Sequence, residues 1–233
     1  MRQAVRPPVE SYGAVLFDMN GTFMFKGDRF GSGQDYYVTY QGVGGGGLSS
    51  ADVQSAVNAC YAAFLRDYED PRLTECFPSL DEFVATHSGV PVCEQRAIAM
   101  TIAKHEVGKV PAWAARSIGL VAQRTTVGMA SNVWAPSSHW SAELVASGVA
   151  SVLAAAVFSA DLGAIKPSER PFLAALREIG VSPNAALFVG DSLERDIVPA
   201  KLLGMSTCFV GKCAAGIPAA ADFHVHSIAE LPN

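Results

Sequence analysis

Val15-Leu16-Phe17-Asp18-Met19-Asn20-Gly21-Thr22 is the stretch in which residue types suited to chemistry are most closely set. An apolar run from Ala14 to Phe17 ends in a carboxylate, and a glycine and a hydroxyl residue follow. A buried strand that stops at an Asp and then turns sharply sets that Asp at the carboxyl edge of a sheet, where open α/β sheets bind their ligands. Gly21 lets the backbone approach a ligand closely. Thr22 offers a hydroxyl and a backbone N–H in the same loop. Asp18 in this setting can be a nucleophile, a metal ligand or both.

Three further positions fall where such a sheet would gather them. Ser131-Asn132 follows the strand-like run Thr125 to Ala130. A serine hydroxyl and successive backbone N–H groups can hold phosphate oxygens, and the same pair can also serve as an ordinary helix cap or turn. At Lys166-Pro167 the proline biases Lys166 toward an extended conformation. A lysine over a carboxylate nucleophile offsets the repulsion of an anionic substrate and stabilises charge on the transferring group; the plain alternative is a solvated surface lysine. In Val189-Gly190-Asp191-Ser192-Leu193-Glu194-Arg195-Asp196 a hydrophobic strand delivers Asp191 to the same edge, with Asp196 five residues on. Two carboxylates together with Asp18 can make an oxygen-rich Mg²⁺ site. The alternative is a helix start, with acids near its positive end.

The elements that must carry these residues follow from periodicity. Ala112 to Gln123, Ser137 to Ala146, Ser168 to Ile179 and Leu193 to Leu203 read as helices. They alternate with strands at 125–130, 152–158, 186–190, 207–210 and 223–225. That alternation implies a parallel sheet with right-handed crossovers. Between about 24 and 108 no strand pattern is convincing. Helical spacing occurs at 34–41, from an N-cap at Ser49-Ser50-Ala51-Asp52 to Tyr68, at 79–86 and at 94–106, with a glycine-rich loop at 42–47. The expected fold is α/β: a parallel-sheet, Rossmann-like core domain formed by 1–23 and 109–233, with an α-helical cap domain, 24–108, inserted after the first strand.

Composition narrows the function classes. Half of the 233 residues are hydrophobic and 17% are charged, which argues against disorder. A net charge of −5 gives no basic footprint for nucleic acid. No apolar run is long enough to span a bilayer. Met1 to Glu10 lacks an apolar signal core and reads as a short lead-in. Cys60, Cys76, Cys93, Cys208 and Cys213 are scattered without a C-x-x-C pair, which suggests reduced thiols in a cytoplasmic protein. Neither nucleic acid nor a membrane is expected as a partner.

Asp18-Met19-Asn20-Gly21-Thr22 resembles the first motif of the haloacid dehalogenase (HAD) superfamily, Asp-x-Asp-Gly-Thr in its phosphatases. Ser131, Lys166 and Gly190-Asp191…Asp196 resemble the second, third and fourth motifs, in the right order. The helical insertion is similar in position to the superfamily's first type of cap. The resemblance spans about residues 12–226. It implies Asp18 as nucleophile, and Thr22, Ser131, Asn132 and Lys166 as contacts for the substrate phosphate. It implies Mg²⁺ held by Asp18, the Asn20 backbone carbonyl and Asp191. Asp196 would be a further ligand or hold one in place.

Asn20 departs from the pattern. The family's second Asp is the general acid and base, and an amide can do neither job. The loss is worth about 10²–10⁴-fold, or roughly 3–5 kcal/mol of barrier. The expected activity is Mg²⁺-dependent phosphatase-type hydrolysis through an aspartyl phosphate, weakened by Asn20. The alternatives are a phosphate-binding protein without turnover, a dehalogenase, or a phosphonate hydrolase using a cap lysine, for which Lys26, Lys104 and Lys109 sit at no evident matching position. Glu194 is a conceivable substitute acid or a plain exposed helix residue. Phe23, Phe25, Lys26 and Arg29 lead into the cap, where substrates are selected. Trp113, Trp134 and Trp140 read as packing residues, and His224 and His226 as surface positions of a strand.

Overall fold

The computed structural model describes residues 6–31, 33–212 and 220–232. Residues 1–5 of the lead-in, and Cys213, lie outside them. Strands β1 (Ala14–Phe17), β2 (Thr126–Ser131), β3 (Leu153–Phe158), β4 (Ala186–Gly190), β5 (Ser206–Val210) and β6 (Phe223–Val225) form one sheet. Its order is β3-β2-β1-β4-β5-β6 and every pairing is parallel. Strand β1 has β2 on one side and β4 on the other, so the direction of winding reverses between β1 and β4. That is the switch point at which doubly wound sheets bind ligands.

Helices cover both faces, so the central strands are buried throughout, as parallel strands must be. Val15 and Phe17 pack with Leu187 and Val189 on one face, under α5 (Ala112–Ala122). Leu16 and Phe188 pack on the other, with Phe172 and Leu176 of α8 (Arg170–Ile179). Helix α6 (Ser137–Ala146) and a single turn, α7 (Ser159–Leu162), complete the β2–β3–α8 connections. Gly180 ends α8 in a left-handed conformation, φ +79°.

Four helices lie between β1 and α5: α1 (Tyr36–Gly42), α2 (Ser50–Tyr68), α3 (Leu80–His87) and α4 (Val92–Glu106). Ser49 and Asp52 form a capping box on α2, and Ser79 and Glu82 another on α3; each satisfies N–H groups that the first helical turn leaves unpaired. Phe25 and Lys109 exchange backbone hydrogen bonds of 2.9 and 2.7 Å where the chain leaves and rejoins the α/β core. Arg29 braces the same junction through the carbonyls of Lys26, Lys104 and Val107.

The structure corrects several local expectations. Helix α8 starts at Arg170, two residues late, and the Ser168 hydroxyl accepts from its backbone N–H. The segment 193–203 is not one α-helix: a wide π turn, Leu193–Ile197, precedes α9 (Val198–Leu202). Pro199 falls in the first turn of α9, where its missing N–H costs nothing. His224 is buried, with Nε2 2.7 Å from the Gly211 carbonyl oxygen, whereas His226 is exposed. Cys60, Cys76, Cys93 and Cys208 are free thiols, and no described helix is long and apolar enough to cross a membrane.

Candidate active site

Register decides what meets at the sheet edge. Phe17 pairs with Val189, so Asp18 and Gly190-Asp191 emerge side by side from adjacent strands. The Asp18 N–H donates to the Val189 carbonyl at 2.8 Å, which fixes the turn. Gly21 adopts φ +82°, and a Cβ there would run into the Asp191 carboxylate; only glycine fits that turn against that acid. A Cβ at Gly190 would likewise strike Asp196.

Lys166 is the centre of the buried charges. It is 2% exposed, and its Nζ donates to Asp18 Oδ1 at 2.7 Å and to Asp196 Oδ1. Burial opposes the ammonium charge, but Asp18 and then Asp196 outweigh it and hold the Lys166 pKa above its ordinary value. Ser131 donates to the same Asp18 oxygen at 3.1 Å, and Thr22 Oγ1 lies 3.5 Å from Oδ2. Asp196 has both oxygens engaged, the second by the Ser192 N–H at 3.0 Å. The π turn makes this possible: the Asp196 and Ile197 N–H groups both return to the Ser192 carbonyl. Asp196 thus stands beside Lys166 within one loose turn.

Asp191 is different. It is open to the cavity, and its carboxylate has no side-chain partner among the described residues. Burial by its surroundings, then the charges of Asp18 and Asp196, push its pKa up to about 7 against the opposing pull of Lys166. Asp196 is pushed up to about 6, first by burial. Solvent in the open cavity tempers the shift at Asp191. One carboxylate oxygen from each of Asp18, Asp191 and Asp196 lies within 4.8 Å of the others. Hard oxygen donors around unneutralised negative charge fit a small divalent cation.

These residues line a cavity of about 210 Å³ together with Asn20, Tyr68, Asn132 and Arg195. Asn132 lines it by an edge only, since its amide is engaged with protein. Nδ2 donates to the Tyr68 hydroxyl and the Lys166 carbonyl, both at 3.0 Å, and Oδ1 accepts from the Lys166 N–H at 2.8 Å. The geometry makes it the brace of the Lys166 loop. Glu194 is exposed and lines neither this cavity nor the next.

Sequence reasoning missed three residues. Arg195 donates to the carbonyls of Lys166 and Tyr68 at 2.9 and 2.6 Å, and its guanidinium lies 3.7 Å from the Tyr68 ring centre. It ties the end of α2 to the Lys166 loop. Tyr68 looks in sequence like any aromatic on a helix face. Glu106, the last residue of α4, is buried and accepts from the Trp134 and Ala135 N–H groups at 2.6 and 2.8 Å. Burial, opposed by these two bonds and reinforced by the Asp28 charge, pushes its pKa up to about 8. An acid flanked by His105 and Val107 at a helix end gives no signal of its own.

This sheet order recurs among known proteins. Residues 164–231 match the HAD-hydrolase-like family. Over the whole chain the fold is similar to a 2-haloacid dehalogenase from Pseudomonas syringae pv. Tomato DC3000 (TM-score 0.62, 21% identity, 95% of this chain and 96% of that one). It is equally similar to a HAD phosphatase from Thermococcus onnurineus (TM-score 0.62, 19% identity, 94% and 95%). Magnesium-bound YfnB from Bacillus subtilis is also similar (TM-score 0.58, 19% identity, 94% and 96%). The fold is the one these HAD proteins share. A 92-residue stretch is 33% identical to the glyceraldehyde 3-phosphate phosphatase of Methanopyrus kandleri. That match covers 40% of this chain and 36% of the relative's length.

Proposed function

We propose that the chain is a Mg²⁺-dependent phosphatase of small phosphorylated metabolites, working through a phosphoryl group carried on Asp18. The observation that carries this reading is the Asp18–Lys166–Asp196 triad with the free Asp191 carboxylate beside it. An Asp18 oxygen would attack phosphorus, forming an aspartyl phosphate as the bond to the leaving oxygen breaks. Water would then release phosphate and restore the carboxylate. Ser131 and Lys166 hold the nucleophile in one orientation, and the Lys166 ammonium offsets the anionic charge of the transferring group. Mg²⁺, held by Asp18, Asp191 and the Asn20 carbonyl, would neutralise phosphate charge, with Asp196 fixing Lys166. Helices α1–α4 would act as a cap domain over the site, excluding water and large substrates. Because Asn20 has no proton to give, leaving groups that depart without one, such as acyl phosphates, should react best.

The phosphatase match over 92 residues supports this reading. The free Asp191 carboxylate favours it over a dehalogenase, whose chemistry needs no metal. Asn20 favours the rival reading, a phosphate-binding protein without turnover. The test is a phosphate-release screen with Mg²⁺ over sugar phosphates, nucleotides and acyl phosphates, with Asp18→Ala as the blank. Mg²⁺-dependent release by the wild type alone is expected. Release that Asp18→Ala retains in full, or no release from any compound in the screen, refutes it.

A further inference from the structure

A second cavity, of about 230 Å³, opens beside the Asp18 pocket and shares Asn20, Tyr68 and Asn132 with it. The two differ in charge. Lys166 and Arg195 line the first; no lysine or arginine lines the second. Its wall is aromatic, made by Phe30, Tyr61, Phe64 and Trp134, with Asp28 and Glu106 as its acidic residues. Phe30 stacks on Tyr61 with centroids 4.5 Å apart, and Trp134 meets Phe30 and Tyr61 at 5.8 and 5.9 Å, steeply tilted to both. The fifth ring, Tyr68, already has the Arg195 guanidinium on its face.

Neither acid is paired with a cation. Glu106 is held by two backbone N–H groups. Asp28 sits at the mouth, reached by solvent, and its carboxylate has no hydrogen-bond partner among the described residues. Its backbone is held in place by a 3.0 Å bond from its N–H to the Glu106 carbonyl, at a positive φ of 50°. Arg29, the neighbouring cation, points its guanidinium at the carbonyls of Lys26, Lys104 and Val107 and does not line the cavity. Acids beside aromatic rings, with no lysine or arginine on the cavity wall, make a receptor for an ammonium or quaternary ammonium group.

We infer that this cavity takes a cationic amine carried by the leaving group, so that the preferred substrate is a zwitterion with phosphate at the Lys166 end and ammonium at the Asp28 end. The inference rests on the phosphatase reading for its phosphate half only. A second phosphate or a carboxylate on the leaving group would meet the Asp28 carboxylate and be rejected, which sets phosphorylated amines apart from nucleotides and sugar bisphosphates.

The test uses two matched pairs of probes on the full chain. Binding of choline and of its neutral isostere 3,3-dimethylbutanol is followed by tryptophan fluorescence. Hydrolysis of choline phosphate and of 3,3-dimethylbutyl phosphate is followed with Mg²⁺. The cation should bind about tenfold more tightly than the isostere, and its ester should show a similar advantage in kcat/KM, mainly through KM. Asp28→Asn should erase most of both preferences; a preference that it leaves intact overturns the assignment of Asp28. The wild-type comparison decides the matter even if that variant does not fold: choline binding no tighter than the isostere overturns the inference. Tight choline binding with neither ester nor an acyl phosphate hydrolysed sustains the cation site and sinks the phosphatase reading instead.

Discussion

Lys166 and Glu106 are buried ionisable side chains at opposite ends of one crevice, and they have opposite surroundings. Lys166 touches two carboxylates and is held charged. Glu106 touches only backbone N–H groups, and burial opposes its charge up to about pH 8. At the first end the protein supplies its own counter-charge, so the geometry of Asp18 is fixed before any ligand arrives. At the second end the acid has no counter-charge, and burial keeps it neutral unless a cation enters. Buried charge with an internal partner pre-organises a site, whereas a buried acid without one favours a ligand that brings the missing charge.

The sharpest way to break this contrast is Lys166→Met. It leaves Asp18 and Asp196 buried and unpaired, and should cost about 3–5 kcal/mol in denaturant unfolding. Asp196→Asn in the same chain should recover part of that loss. A cost below about 1 kcal/mol would mean that the triad is not the anchor of this end.

Glu106 sharpens the other side through pH. Its folded pKa of about 8 lies above the ordinary 4.5. The folded state therefore binds more protons than the unfolded chain between these values. The stability this brings is complete below about pH 4.5 and is lost as pH rises through 8. Wild type should lose roughly 2–4 kcal/mol relative to Glu106→Gln between pH 5 and 9, given about 1.4 kcal/mol per pKa unit. Parallel stability curves would show that the carboxylate is not opposed by its site.

Arg195→Ala tests the seam between the two ends. It removes the bonds to the Lys166 and Tyr68 carbonyls and the cover on the Tyr68 ring, while Asn132 and its hydrogen bonds remain. A loss of about 1–2 kcal/mol is expected, with KM raised more than kcat lowered. An unchanged KM would detach α2 from the site.

Local pattern made the first end legible. Apolar strands that stop at Asp18 and Asp191, and a glycine that only one turn can need, can be read without knowing what packs against what. The same holds for α2 and α3, whose caps lie within four residues of each other in sequence. The second end is built from contacts that are distant in sequence. Phe30, Tyr61 and Trp134 meet only after α1–α4 fold onto the sheet, and Glu106 is distinguished by the N–H groups of Trp134 and Ala135, 28 residues and more away. The π turn at Leu193–Ile197 was hidden for a related reason. Its residues suit an α-helix, and what widens the turn is the approach of Asp196 to Lys166 across the sheet edge.

Acid-quenched mass spectrometry of wild type and Asn20→Asp, mixed with Mg²⁺ and an acyl phosphate, tests the central claim most directly. The account predicts one phosphoryl group on the peptide holding Asp18, accumulating in the wild type because water lacks its base. In Asn20→Asp the group should decay faster, and alkyl phosphate turnover should rise by about 10²-fold. Label on a different peptide, or no label in either protein, would contradict it.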